Sequence, residues 1–292
     1  MKLWLDDVSA EWDETTRQKV TDGLQVIHAD NVAEFFYRTD EKSDWAYREF
    51  PNIAPPFDHF WMEYPLPDQL NIGGRLQTSG LGDIGRIGFE WRAFDASEFR
   101  QHNRTQYGLE TVVHVPYSRW ILAANVFTRL GVLGLLLAVD GAGRGIEAAS
   151  GDNLVLIVQP GLETWAQAFN ERFVTIVGPA FLTLSFMHCR NVERVLQTRS
   201  RQRRRGAARN QSRFTYHTLN ITPMRRVLET EGQSGALGIR RALHICRGHF
   251  ATYTDKPLFG KYRGTFWVPM HMRGSSEAGQ ANKDYYVSPD KS

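Results

Sequence analysis

The residue types best suited to catalysis are concentrated in the C-terminal stretch 241–274, which holds three of the nine histidines of the chain. A pair of histidines can cleave a phosphodiester without a metal ion, because one takes a proton from a ribose 2′-hydroxyl while the other protonates the leaving oxygen. Cationic donors stabilise the charge that the phosphate develops in the transition state. The candidate catalytic residues are His249, His271, Arg247, Arg273, Tyr253 and Lys261.

Each residue type has a distinct role in this chemistry. The two histidines would exchange protons, in an order that the sequence does not assign. Arginine contacts phosphate oxygens bidentately, so the two arginines, together with Lys261, would hold the phosphate. Tyr253 is a secondary acid–base or positioning residue, and Trp267 could stack on a base.

Two predicted strands position these side chains, one over 242–250 and the other over 265–273. Successive side chains of a strand point to opposite faces. The first strand then carries Arg247 and His249 on one face, and the second carries His271 and Arg273 opposite an apolar face. If the two strands pair, we expect these four side chains to gather on one face of the tail.

The same stretch allows two other interpretations. His244 shares a predicted face with Cys246 and Phe250, which is typical of a histidine satisfied within a core. The spacing His244-x-Cys246-x-x-His249 also suggests zinc, but strand alternation separates His249 from the other two residues, and a second pair of ligands at zinc spacing is missing from the sequence. We therefore predict neither a metal ion nor a cofactor.

Arginine dominates residues 190–213, where Glu193 is the only acidic residue. The part 198–212 has no apolar periodicity, so we interpret it as an exposed basic linker between two domains. Dense positive charge favours a polyanion, and contacts to phosphates give salt-dependent, sequence-independent binding. A solvated linker without a partner is the alternative. The predicted nucleic-acid-binding residues are Trp267 and the arginines Arg199, Arg201, Arg203, Arg204, Arg205 and Arg209.

The pattern along the chain predicts an α+β fold in two domains. Domain 1–197 is predicted as an antiparallel sheet packed with helices, and domain 213–292 as a small strand-rich α+β unit with one helix that carries the candidate active site. Helical spacing is expected over 13–38 in two pieces, and over 162–195 with an end or kink at Pro179. The strands predicted for the first domain are 60–64, 86–94, 108–115, 120–127, 132–139 and 154–158.

Composition is that of a globular protein, with 42% apolar and 23% charged residues. The two cysteines do not make a disulfide framework, which favours a reducing compartment. The first five residues run directly into Asp6 and Asp7, so no signal peptide is expected. The apolar runs are too short or too diluted to span a bilayer. These observations predict a cytoplasmic protein without a membrane partner.

The motifs of the tail also carry a resemblance. They are His244-x-Cys246-Arg247-Gly248-His249-Phe250-x-x-Tyr253, Leu258-Phe259-Gly260-Lys261, Gly264-x-x-Trp267 and His271-x-Arg273-Gly274. Together with Phe181-x-x-x-Ser185-Phe186-Met187-His188-Cys189-Arg190-Asn191-Val192, this tail resembles uncharacterised proteins encoded by phages and prophages, over about the last third of the chain. A helix followed by a small sheet bearing His, Arg and Tyr is more loosely similar to the barnase, colicin and RelE class of small ribonuclease domains.

Three functions remain open from the sequence. The first is a metal-independent endoribonuclease or related phosphodiesterase of phage type. The second is a non-catalytic nucleic-acid-binding protein, in which the arginines coat a strand and the histidines are structural. The third is a phage accessory protein that binds a host protein. RNA is a more probable nucleic-acid partner than DNA under the first hypothesis, because the chemistry uses the 2′-hydroxyl.

Overall fold

The chain divides into two compact units, Met1–Asn220 and Ile221–Ser292. The fold was obtained as a computed structural model. It describes residues 3–38, 50–72, 75–78, 85–102, 117–145, 154–158, 160–197, 214–220, 242–246, 248–258, 260–268, 271–273 and 275–280. The mixture of a large sheet, helices and a second set of short sheets confirms the predicted α+β class.

The first unit is built on an eight-stranded sheet. Its chain contains β1 (Gln25–His28), β2 (His59–Pro65), β3 (Gln69–Ile72), β4 (Arg75–Thr78), β5 (Arg86–Asp95), β6 (Ser118–Thr128), β7 (Gly131–Asp140), β8 (Leu154–Ile157), β9 (Glu193–Gln197) and β10 (Tyr216–Asn220). The order across the large sheet is β8-β7-β6-β5-β2-β1-β10-β9, and β3 pairs with β4 in a separate hairpin.

The helices of this unit are α1 (Trp4–Val8), α2 (Glu14–Thr21), α3 (Asp30–Arg38), α4 (Ala96–His102), α5 (Glu163–Glu171) and α6 (Phe173–Met187). Helices α3, α5 and α6 contribute to the main apolar core. That core also takes one face of the sheet, because every second residue of its strands is apolar and buried. Phe60 and Met62 on β2 and Phe89 and Trp91 on β5 have no exposed surface.

The opposite face of the sheet, called the polar face below, carries His59, Trp61 and Glu63 on β2. On β5 it includes Glu90 and Arg92. Residues directly opposite in an antiparallel pair share a face, and the register pairs His59 with Arg92 and Trp61 with Glu90. The charged and histidine side chains of β2 and β5 are therefore neighbours on this polar face.

The sheet is mixed, whereas an antiparallel sheet was expected. Strand β1 pairs in parallel with both β2 and β10, and the other pairs of the large sheet are antiparallel. The range 13–38 was predicted to be helical, but its residues 25–28 form β1. A segment of four residues is too short for apolar spacing to distinguish a strand from a helix. The crossover through α3 then returns the chain to β2, as a parallel pair requires.

Pro179, where an end or a kink was predicted, lies in the interior of helix α6, so the helix does not end there. The break between the two helical pieces falls at Arg172 instead. A proline lacks the N–H that would bond to the carbonyl four residues earlier, which is that of Thr175. The Tyr37 hydroxyl donates to this carbonyl at 3.0 Å. The Tyr64 hydroxyl donates to the next one, that of Ile176, at 2.6 Å.

The boundary between the units follows Asn220, which differs from the predicted domain 213–292. Strand β10 lies between β1 and β9 in the large sheet, so residues 216–220 belong to the first unit. Strands β9 and β10 are antiparallel neighbours, with Gln197 paired to Tyr216. The arginine-rich residues thus lie in a connection between two strands of one sheet, and not between two domains.

The second unit contains β11 (Ala242–Cys246), β12 (His249–Leu258), β13 (Tyr262–Val268), β14 (His271–Arg273) and β15 (Ser275–Gln280). Strand β12 pairs with β13, and β11 pairs with β14 and β15. Each predicted tail strand is therefore divided in two: the range 242–250 covers β11 and the start of β12, and the range 265–273 covers the end of β13 and β14. The antiparallel pairs are β12 with β13 and β11 with β14. The predicted helix after Thr222, in the range 222–232, lies outside the described residues. None of the helices in the described part of the chain has the length and apolar character needed to cross a bilayer.

Candidate nucleic-acid interface

The two tail histidines occupy different positions in the paired strands. His271 lies opposite Cys246 in β11, and His249 lies opposite Val268 in β13. Since opposite residues share a face, His249 shares its face with Val268, which lies on the apolar face of the predicted strand 265–273. The register therefore does not set the two histidines opposite each other. The described part of the structure does not include the side chains of His271 and Arg273. It also leaves out Arg247 entirely.

The other predicted tail residues contact aromatic neighbours. Trp267 has 1% of its surface exposed and packs edge-on against Phe250, with ring centroids 4.8 Å apart. Its ring is not presented at the surface for a base to stack on. Tyr253 packs on Phe266, and the Lys261 ammonium lies 4.9 Å from the centroid of the Tyr262 ring. His249 is exposed.

The arginine-rich connection leaves and re-enters the large sheet at one end. Residues 198–215 join the paired ends of β9 and β10, and their sequence contains seven arginines and no Asp or Glu. Residues 198–213, which include all six predicted nucleic-acid-binding arginines, lie outside the described residues. Strands β10, β1 and β2 run parallel, so all three begin at the end of the sheet where this connection is attached.

A stack of three side chains lies at this end, on the face that carries the core. The imidazole of His217 stacks on the ring of Phe57, with centroids 5.7 Å apart and planes at 23°. The Arg194 guanidinium lies 5.8 Å from the centroid of the same ring. Burial, aided by the Arg194 charge, lowers the pKa of His217. Arg194 is exposed, so the stack includes a cation on β9, the strand that leads into the connection.

A second cluster at this end is organised by Glu90, whose side chain is 4% exposed. His59 Nε2 lies 3.1 Å from Glu90 Oε1. Arg92 donates to the same oxygen from Nε at 3.0 Å and from Nη2 at 2.9 Å. Asn125 donates to Oε2 at 2.9 Å. Burial alone would raise the Glu90 pKa, but the hydrogen bonds from His59, Asn125 and Arg92 outweigh it and hold the pKa at about 2.

The third cluster attaches the N-terminal segment to the polar face. Glu63 is fully buried and accepts from the backbone N–H of Trp4 at 2.8 Å and of Leu5 at 2.9 Å. It also accepts from Trp61 Nε1 at 2.9 Å and from Arg86 Nη2 at 3.1 Å. Each carboxylate oxygen thus has two donors. This arrangement is structural, because the carboxylate has no lone pair left to offer a ligand.

Arg86 links this carboxylate to a second one. Its Nη1 and Nη2 donate to the two oxygens of Asp30 at 3.0 and 2.7 Å, and His28 Nε2 lies 3.2 Å from Asp30 Oδ2. Burial alone would raise the Asp30 pKa, but the hydrogen bonds from His28 and Arg86 hold it below its usual value.

Among the described residues, no three His, Cys, Asp or Glu side chains converge in a way that would hold a metal ion.

Glu90 and Arg92 were not predicted as site residues from the sequence. The available signal was the strand 86–95, in which Ile87, Phe89 and Trp91 alternate with polar residues. An acidic and a basic residue two positions apart on the polar side of a buried strand indicate a paired site. The partners His59 and Asn125 come from other strands, and only the sheet register identifies them.

Comparisons of the chain with protein-family models, with curated proteins and with solved structures find no match.

Proposed function

We propose that the protein binds nucleic acid, with RNA as the favoured partner, through the arginine-rich connection between β9 and β10. The observation that supports this most directly is the pairing of Gln197 with Tyr216. It places seven arginines, with no acidic residue among them, in a segment anchored at both ends to one sheet. Both attachment points of the segment thus lie on neighbouring strands of the large sheet.

The charge of this segment suits the phosphate backbone of a nucleic acid. Arginine forms bidentate hydrogen bonds with phosphate oxygens and remains charged at all physiological pH values. Binding through several such contacts releases counterions, so affinity falls steeply with salt and depends little on base sequence. Arg194 adds an exposed cation on β9, the strand that leads into the connection.

Cleavage of RNA by the tail is the second candidate function. Its support is that the tail forms antiparallel pairs of strands and that His249 is exposed. The register sets His249 opposite Val268 and His271 opposite Cys246, which weakens the case for a His/His pair. Binding without cleavage therefore has the better support.

Fluorescence anisotropy with a labelled single-stranded RNA tests the proposal. We compare the full chain with a variant in which Arg203, Arg204 and Arg205 are all changed to Gln, across a series of salt concentrations. The control variant carries Arg129→Gln, Arg144→Gln and Arg263→Gln, three exposed arginines outside the connection. Each lost phosphate contact should reduce the slope of log K against log salt by about 0.7, so the connection variant should lose about 2 and the control little.

The proposal fails if the wild type binds without salt dependence, or if the two triple variants lose affinity equally. The same RNA, incubated with the protein in EDTA and analysed on a gel, separates the two candidate functions. Intact RNA supports binding alone. Cleavage that disappears in the variant His249→Ala with His271→Ala would instead establish the tail as a nuclease.

A further inference from the structure

His59 and Arg92 are held by one oxygen of one buried carboxylate. His59 Nε2 lies 3.1 Å from Glu90 Oε1, and two nitrogens of Arg92 donate to that oxygen at 3.0 and 2.9 Å. Glu90 is 4% exposed, whereas the side chains of His59 and Arg92 are 21% and 42% exposed. The buried group therefore orients two side chains that reach the surface.

The backbone fixes the spacing of this pair. His59 on β2 and Arg92 on β5 are direct partners in the antiparallel register, and Cβ atoms of such partners lie about 5 Å apart. Both side chains also share an acceptor, so their rotamers are restrained before any ligand arrives. A pair ordered in this way loses little side-chain entropy on binding.

Each member of the pair keeps a polar group for a ligand. Within the described part of the chain, Arg92 Nη1 and His59 Nδ1 make no hydrogen bond. The guanidinium offers two further N–H donors at Nη1. A protonated imidazole donates from Nδ1 while Nε2 remains on Glu90. Donors on two side chains that are direct cross-strand partners can contact two oxygens of one tetrahedral anion.

The charges of the cluster favour an anion. Glu90 is ionised, and its charge is balanced by Arg92, so a protonated His59 leaves the cluster with one net positive charge. Asp58, which is exposed, is the acidic residue that precedes His59 in the chain. Asn125 completes the hydrogen bonding of Glu90 from β6. The carboxylate thus holds the two cations without competing for the ligand.

We propose that His59 and Arg92 form a binding site for a single phosphate group. If the proposed function holds, this group is a phosphate of the bound nucleic acid, and this part of the inference rests on that function. Strands β2 and β10 begin at the same end of the sheet and are separated only by β1. Two strand spacings are about 10 Å, so a strand of nucleic acid on the arginine-rich connection can reach this site.

Inorganic phosphate provides a test that does not depend on nucleic acid. Long-range ¹H–¹⁵N spectra of the histidine rings of the full chain are recorded during a phosphate titration at constant ionic strength, near pH 6. His59→Gln assigns the His59 signals. We expect a saturable shift of His59 that weakens at least about tenfold in Arg92→Gln, the loss of one charge-assisted hydrogen bond. Arg144→Gln, which removes another exposed arginine paired with a carboxylate, should leave the shift unchanged.

Three results would overturn the site: no saturable shift of His59, an equal shift in Arg92→Gln, or an equal response to acetate. If Arg92→Gln unfolds, Arg92→Lys provides the second variant. It should also weaken binding, because a single ammonium cannot replace the two N–H contacts to Glu90 together with the two N–H donors of Nη1. A nucleoside monophosphate and a short RNA then identify the source of the phosphate.

This experiment separates the phosphate site from the proposed function. The site stands if phosphate shifts His59 in a protein that binds no RNA, and in that case only the nucleic-acid function fails. Conversely, RNA binding that is unchanged in Arg92→Gln, together with an unshifted His59, retains the function of the connection and refutes the site.

Discussion

At the scale of single residues, two carboxylates decide how the polar face of the sheet is arranged. Glu63 and Glu90 lie on neighbouring strands, and both are almost completely buried. Each accepts four hydrogen bonds or close polar contacts. A buried charge that lost its partners would cost several kcal/mol, so these donors have to be in place whenever the sheet is formed.

Glu63→Gln should destabilise the protein strongly. The glutamine side chain has the same shape as glutamate, but its NH₂ group cannot accept the hydrogen bonds that one carboxylate oxygen accepted. The backbone N–H of Leu5 or Trp4 then lacks a partner. We expect a loss of about 2–3 kcal/mol in the free energy of unfolding, measured by urea denaturation. Glu14→Gln removes an exposed ion pair with Arg17 and should cost less than about 0.5 kcal/mol; an equal effect of the two substitutions would contradict the structural role of Glu63.

The Glu90 carboxylate should make stability depend on pH in a defined window. Its pKa is about 2 in the folded protein and 4.5 in the unfolded chain. The ionised form therefore stabilises the fold at pH values above about 4.5, and this contribution is lost as the pH falls from 4.5 towards 2. After screening by solvent, we expect it to amount to about 2 kcal/mol at neutral pH.

Urea denaturation of the wild type and of Glu90→Gln at pH 7, 4.5 and 3 measures this contribution. The difference in unfolding free energy between the two proteins should fall by about half between pH 7 and pH 3. The subtraction removes the contributions of other acidic groups. A difference that stays constant over this range would show that Glu90 titrates normally.

At the scale of elements, helix α6 shows how a helix accommodates an internal proline. Pro179 removes the donor for the Thr175 carbonyl, and the Tyr37 hydroxyl supplies a replacement at 3.0 Å. Tyr37 lies on α3, which packs against α6 in the same core. The proline is thus tolerated because a neighbouring helix satisfies the freed carbonyl.

A double-mutant cycle between Tyr37 and Pro179 tests this compensation. Tyr37→Phe should cost about 1 kcal/mol or more in the wild type, because it leaves the carbonyl without its donor. In Pro179→Ala, the alanine N–H restores the helical hydrogen bond, so the same substitution should cost less. We expect a coupling energy of about 1 kcal/mol from thermal or urea unfolding. Tyr117→Phe, at a residue that is 90% exposed, provides the control, and purely additive effects would refute the compensation.

At the scale of the whole molecule, the chain forms two units whose boundary follows β10. Strand β10 is enclosed by β1 and β9, so its removal would expose the edge of β1 and leave β9 without a partner. An exposed strand edge has unpaired backbone groups and favours aggregation. The first unit therefore requires residues on both sides of the arginine-rich connection.

Two truncations test where the first unit ends. The fragment 1–220 should unfold in a single cooperative transition, because it contains every strand of the large sheet. The fragment 1–197 lacks β10 and should melt several degrees lower or aggregate. Differential scanning calorimetry of both fragments, with the full chain as reference, measures this. Equal melting temperatures of the two fragments would mean that β10 does not contribute to the first unit.

Local patterns in the sequence determined most of the elements. The pattern of apolar residues was sufficient to predict β2, β5, β6, β7 and β8 within a few residues. It predicted one strand where the tail forms β11 and β12, and one where it forms β13 and β14. The density of arginine in 198–212 is a property of composition alone. The α+β class follows from these elements.

The tertiary structure alone decided which residues meet. His59 and Arg92 are 33 positions apart, and their pairing depends on the register of β2 and β5, which sequence periodicity does not specify. A shift of one residue in the register would move every side chain of a strand to the other face of its sheet. The tail gives an example: His249 lies opposite Val268, although it was expected on the same face as His271. Long-range pairing likewise placed β1 and β10 side by side. Such contacts arise from the packing of the whole sheet, because each strand finds its partner only when the common core is buried.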